Sequence, residues 1–118
     1  MITIHQIQLT SEQIDAVNSG CEVAAFQAKM ASQFGKFKNS QFDFYCEAYE
    51  VDTDDLNKAF EWTNLWNNQA AVDVIGDRGY SSSVGDIFEL NGEFFICASF
   101  GFEKIEGLTS KAILEAAA

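Results

Sequence analysis

No proline occurs anywhere in the 118 residues, and there are only three cysteines, one histidine and one arginine. Without proline, a low-complexity stretch or an internal repeat, nothing in the chain reads as a linker, and residues 1–118 are expected to form a single domain. No apolar run approaches the ~20 residues that a membrane-spanning helix needs. The opening Met1-Ile2-Thr3-Ile4-His5 lacks the basic start and apolar stretch of a signal peptide. A cytoplasmic protein without membrane contact is therefore expected. Basic residues are also scarce: seven Lys and Arg face 18 Asp and Glu, for a net charge of −11. That balance argues against direct nucleic-acid binding, which requires clustered positive charge. Cys21, Cys46 and Cys97 are odd in number, widely spaced and lack a Cys-x-x-Cys pair, so no disulfide framework is indicated. With His5 they complete a Cys₃His set, but structural zinc sites bring their ligands in close pairs, and these four come from separate segments. A Cys–His nucleophile would have to use His5, which the alternation of residues 2–8 places on a strand. The cysteines are read as free thiols serving as small hydrophobes. No catalytic residue, metal or cofactor is assigned.

What the chain does have is apolar residues at 47%, with 11 Phe among its aromatics. A chain of this length buries roughly two-thirds of its unfolded surface. Residues 2–8 alternate as a strand. Thr10-Ser11-Glu12-Gln13 is a capping box opening a short helix, with Ile14 and Val17 inward and a left-handed stop at Gly20. Val23, Phe26, Met30 and Phe34 recur at helical spacing, predicting a helix from 22 to 34 that ends near Gly35. Over 41–51, Phe42, Phe44, Cys46 and Ala48 share one strand face, with Asp43, Tyr45, Glu47 and Tyr49 on the other. Asp52 or Thr53 is expected to cap a helix over 54–65, whose apolar arc includes Leu56, Phe60, Trp62 and Trp66. Residues 67–83 are irregular, and Arg78 is read as tying this loop to a carboxylate. A hairpin follows, Asp86–Leu90 and Glu93–Phe100 about an Asn91-Gly92 turn. Thr109 or Ser110 is expected to cap a C-terminal helix.

The candidate chemical sites are few. Asp52, Asp54 and Asp55 begin like a calcium loop, but Leu56 takes the fifth position, Lys58 the seventh and Thr63 the twelfth, where the bidentate Glu belongs, and Asn57 replaces the glycine of the sixth, so helix capping explains the acids. Asp43 and Glu47 form a carboxylate pair on one strand face, which a glycosidase could use only within a cleft. Gly76-Asp77-Arg78-Gly79 lacks the phosphate-loop pattern. The better candidates are surfaces for a protein. Tyr45 and Tyr49 offer stiff amphipathic contact area beside Asp43 and Glu47, which would select a basic partner. Trp62 and Trp66, at one edge of a helical arc, form a second candidate contact, with core packing as the competing explanation.

Residues 80–105 carry a familiar pattern. Ser83-Val84-Gly85-Asp86, Ile87-Phe88-Glu89-Leu90, the Asn91-Gly92 turn, Glu93-Phe94-Phe95 and Ser99-Phe100-Gly101-Phe102-Glu103-Lys104-Ile105 resemble the YodL-like domain. That family pairs a Ser-Val-x-Asp start with a Ser-Phe-Gly-Phe end across a β-hairpin. Its members are short proteins or modules of phages, plasmids and other mobile elements, which is the setting that the resemblance implies. From the residues themselves, Ser83 or Asp86 is expected to close a turn, and Phe100 and Phe102 to pin the hairpin to the core.

The expected architecture is α+β: a mainly antiparallel sheet of about four strands with helices packed chiefly on one face, in the order β-α-α-β-α-β-β with a C-terminal hairpin. The expected function is a small non-catalytic accessory protein of phage or mobile-element type, binding a protein partner through Tyr45, Tyr49, Asp43 and Glu47 or through Trp62 and Trp66. The exposed edge of so short a sheet would also suit a homodimer, formed by strand pairing or by helix packing. The alternative is an acidic nucleic-acid mimic, because six carboxylates lie between Asp43 and Asp55 with no intervening base. An enzyme of unidentified class is the third and least supported reading.

Overall fold

Ile2, Ile4 and Ile7 belong to a strand that lies in the interior of a sheet, with partners on both sides. A computed structural model describes residues 1–76 and 79–109. Its strands are β1 (Ile2–Ile7), β2 (Tyr45–Val51), β3 (Val72–Val74), β4 (Ile87–Leu90), β5 (Glu93–Cys97) and β6 (Phe102–Ile105). They form one antiparallel sheet in the order β3-β2-β1-β4-β5-β6. The helices are α1 (Ser11–Asn18), α2 (Ala24–Gln33) and α3 (Leu56–Asn64). The α+β class stands, but the sheet has six strands where about four were expected. Asp77, Arg78 and the expected helix from Thr109 or Ser110 lie outside the described residues, save Thr109 itself.

The two added strands are short. Val72-Asp73-Val74 pairs Tyr49–Val51 after a 3-10 turn over Gln69–Ala71. The strand expected to run on to Phe100 instead ends at Cys97. Gly101 adopts φ 75° and Ala98 N–H donates to Gly101 O, so the chain reverses and Phe102–Ile105 pairs back onto β5. Asn91 (φ 53°) and Gly92 (φ 79°) make the predicted turn between β4 and β5.

Helices cover both faces of the sheet rather than chiefly one. Ala25 and Ala28 of α2 pack in a core with Ile7, Tyr45, Ile87 and Ile96. Ala59 of α3 packs on the other side with Ile2, Ile4, Val51 and Phe88. Strand alternation sends Ile4 and Phe88 to one face and Ile7 and Ile87 to the other, so each helix has its own apolar floor. The stripe that α2 buries is Ala25, Ala28 and Ser32, small residues that permit close approach; Phe34, expected inward, is 71% exposed. Helix α1 has its predicted capping box, Thr10 with Gln13, yet buries no residue, and Ile14 is exposed. Asp55, rather than Asp52 or Thr53, caps α3, accepting from the N–H groups of Asn57 and Lys58.

The largest departure from simple alternation lies in β2. Residues 42–44 belong to a 3-10 turn over Asn39–Phe44, which buries Phe42 and leaves Phe44 exposed. Ile4 then faces Tyr49 while His5 faces Glu47, so Ala48 is an extra residue, a bulge. A one-residue insertion exchanges the faces, because side chains alternate with period two. Tyr45 therefore enters the α2-side core and Tyr49 the α3-side core, at 2% and 1% exposure. The expected solvent face of Asp43, Tyr45, Glu47 and Tyr49 does not exist. Removing either hydroxyl by Tyr45→Phe or Tyr49→Phe should cost ~1–2 kcal/mol of stability, and Tyr→Ala at either place ~3–5 kcal/mol. Urea unfolding tests this, and an unshifted midpoint for Tyr45→Ala would contradict the burial.

Candidate functional site

Both buried tyrosines reach the connection that leads into β4. Tyr45 OH donates to Gly85 O at 2.7 Å, and Tyr49 OH donates to Tyr80 O at 2.9 Å. The Gln6 side chain grips the same segment: Nε2 donates to Tyr80 O and to Asp86 Oδ2, while Oε1 accepts from Tyr80 N–H. Asp86 Oδ2 also accepts from Ser83 N–H, and Asp86 N–H donates back to Ser83 O, the turn expected of these two residues. Lys29 reaches across from α2, donating to Ile7 O and lying 4.9 Å from the Tyr80 ring centre. Gly85 fits where it does because a Cβ would meet Ser32 Oγ at 2.6 Å, and its φ is 97°. Apart from the Ser83–Asp86 turn, these contacts do not follow from spacing along the chain: Gln6 and Asp86 are 80 residues apart.

Burial governs the ionisation of this group. It pushes the Asp86 carboxyl up to about 6, against the opposing influence of the Gln6 and Ser83 hydrogen bonds and the Lys29 charge. Burial likewise lowers Lys29 and raises Tyr45, Tyr49 and Cys97, the last to about 11. Perturbed acids often mark active sites, but access is missing here. Asp86 is buried, and the space between it, Lys29, Ser32 and Tyr45 is too small for a water molecule. The arrangement fastens an irregular connection to the sheet.

The remaining predicted residues separate. Asp43 is exposed in the 3-10 turn, and Glu47 is half-buried opposite His5. Trp62 and Trp66 are half-buried against the α3-side core, Trp66 meeting Tyr49 edge-on and donating through Nε1 to Ser81 Oγ. Those contacts favour packing. His5 is fully buried between Phe42 and Phe94, with Nε2 2.9 Å from Glu89 Oε1. Cys21 and Cys46 are exposed and Cys97 is buried, all as free thiols. Among the described residues, no three His, Cys, Asp or Glu side chains converge as metal ligands, and no helix is long and apolar enough to cross a membrane.

A different surface is open. A groove of about 680 Å³ runs between the C-terminal end of α2 and the β5–β6 edge of the sheet. Phe37, Val84, Ile96 and Ile105 contribute apolar lining, and Phe34 and Phe100 border it. Phe102 packs on Phe88 as expected, with ring centres 5.0 Å apart. Phe100 does not join it; at 97% exposure it stands clear of the core. The sequence contained a signal for this in the turn-forming Ser99-Phe100-Gly101, which places Phe100 at a reversal.

No protein-family model, curated protein or solved structure matches the chain.

For Asp86, an acid whose folded pKa exceeds its unfolded value binds extra protons when folded, so stability falls as pH rises from about 4 to about 6. Asp86→Asn keeps an oxygen for the Gln6 and Ser83 donors without the buried charge. Relative to wild type, the variant should gain on the order of 2–3 kcal/mol on going from about pH 4 to pH 7. Urea unfolding at the two pH values checks this; parallel profiles would contradict it.

Proposed function

We propose that this is a non-catalytic protein-binding module whose partner docks in the groove beside Phe34 and Phe100. The observation that carries the reading is the 97% exposure of Phe100 next to a groove bordered by the 71%-exposed Phe34. Large aromatic side chains at the mouth of a groove are typical anchors of protein interfaces. The partner surface is basic, since the chain carries −11 and Glu103 and Glu106 line the groove. The setting is that of a phage or mobile-element accessory protein, on the resemblance of residues 80–105 to the YodL-like domain. This placement replaces Tyr45 and Tyr49, whose burial removes them from any docking surface.

The acidic-mimic reading has less in its favour. Two of its six carboxylates have local tasks: Asp54 pairs with the Met1 amino group at 2.7 Å, and Asp55 caps α3. Enzymatic activity has no accessible constellation to support it among the described residues.

The double variant Phe34→Ser/Phe100→Ser should keep wild-type stability within ~0.5 kcal/mol, because both rings lie outside the core. It should also lose any protein that the tagged wild type captures from a bacterial lysate. Washes at about 0.1 and about 0.5 M salt separate an apolar anchor from a purely electrostatic contact. Capture that survives in the double variant would refute the groove, and a basic protein released only by high salt would favour the mimic.

A further inference from the structure

Resting on that groove, we infer that its occupant is an extended basic segment of the partner, added to β6 as a seventh strand. β6 is the last strand in the sheet order, and no described strand pairs with its outer side. The direction of its backbone groups follows from the turn. Ala98 N–H bonds to Gly101 O, so antiparallel alternation makes Ile96–Glu103 and Phe94–Ile105 the hydrogen-bonded pairs of the ladder. The N–H and C=O groups of Phe102 and Lys104 then point outward. Glu106 falls on the same side, and its carbonyl accepts from Asn39 Nδ2, which closes that end of the edge. A short row of backbone donors and acceptors is left beside the groove.

The groove lies where an added strand would place its side chains. Ile96, Glu103 and Ile105 line it from the face that α2 covers, with Phe34 and Phe37 opposite. A strand laid along β6 sends alternate residues toward that face, into the space between β6 and the end of α2. Charge selects the segment. Lys104 lies 3.4 Å from Glu93 and 3.6 Å from Glu106, and Glu103 adds a further acid, so the edge favours Lys or Arg over Asp or Glu.

A second copy of this chain is a poor occupant. Twofold antiparallel pairing keeps each face continuous, so some residue must lie directly opposite itself. Centred on this strand, that residue is Glu103 or Lys104, and like charges directly opposite are unfavourable. Centring on Phe102 or Ile105 leaves a much shorter ladder. The edge is thus guarded against itself while open to a heterologous strand.

The probe is a nine-residue synthetic peptide alternating Lys with Phe or Val, blocked at both ends, against the full ¹⁵N-labelled chain. Its control is the same peptide with alternate backbone nitrogens methylated, which keeps charge and side chains but cannot complete the ladder. The unmodified peptide should perturb Phe100 and Lys104 resonances and slow exchange of the Phe102 and Lys104 amides at least about tenfold. The methylated control and the Lys104→Pro variant should each bind at least about tenfold more weakly. Proline is tolerated at an outward edge position, and the variant's amide spectrum verifies its fold. Equal binding of both peptides at Phe34 and Phe100 would overturn strand addition while leaving the groove in place. Binding elsewhere, or none at millimolar peptide, would overturn the basic-strand inference, whereas the groove itself stands or falls on the capture by Phe34→Ser/Phe100→Ser.

Discussion

The bulge at Ala48 is the constraint on which the two-sided core depends. Without the extra residue, Tyr45 and Tyr49 would project from the same face of β2, and only one layer could bury them. With it, one ring packs under α2 and the other under α3. Their hydroxyls then reach Gly85 O and Tyr80 O, two points on the same irregular connection. A single backbone irregularity thus lets one strand hold the 79–86 segment from both sides.

That segment is held by side chains more than by backbone pairing. Gln6 satisfies both polar groups of Tyr80, and Asp86 satisfies Ser83 N–H while receiving Gln6. Such a network is worthwhile only when its members are paired, since an unpaired polar group in this environment costs ~1–3 kcal/mol. The pairing also explains why a perturbed acid here does not imply chemistry: Asp86 is buried, its Oδ2 already accepts from Gln6 and Ser83, and the space beside it is too small for a water molecule. The outside of the molecule is organised differently. Its acids are distributed over the surface, and its most exposed aromatic side chains collect at one groove.

Local chemistry was readable where neighbours along the chain decide it. Thr10 and Gln13 announce their capping box, Gly20 and Gly35 end helices, and Asn91-Gly92 turns a hairpin. Tertiary choices were not. Alternation in 41–51 is regular in sequence, and nothing in it marks Ala48 as a bulge or assigns 42–44 to a 3-10 turn. Three-residue β3 is below the length at which periodicity can be recognised. The stripe on α2 is hidden because large apolar residues dominate a helical wheel, while the residues it buries are the small Ala25, Ala28 and Ser32, the last in close contact with Gly85. Of the site, the groove was hidden because α2 and β6 lie some seventy residues apart in sequence; only the Ser99-Phe100-Gly101 reversal pointed toward it.

The earliest described strand lies between β2 and β4, so the order of synthesis and the order in space disagree. β1 and β2 can pair once residue 51 is available, yet the other side of β1 must wait for residues 87–90. Until then its backbone is an open edge flanked by Ile2, Ile4 and Ile7, a template for pairing with a foreign chain. Closing the β1–β4 ladder brings together residues more than 80 positions apart, which places this step among the slow ones of folding. During synthesis, the interval between those two events is when the chain is most exposed to misassembly.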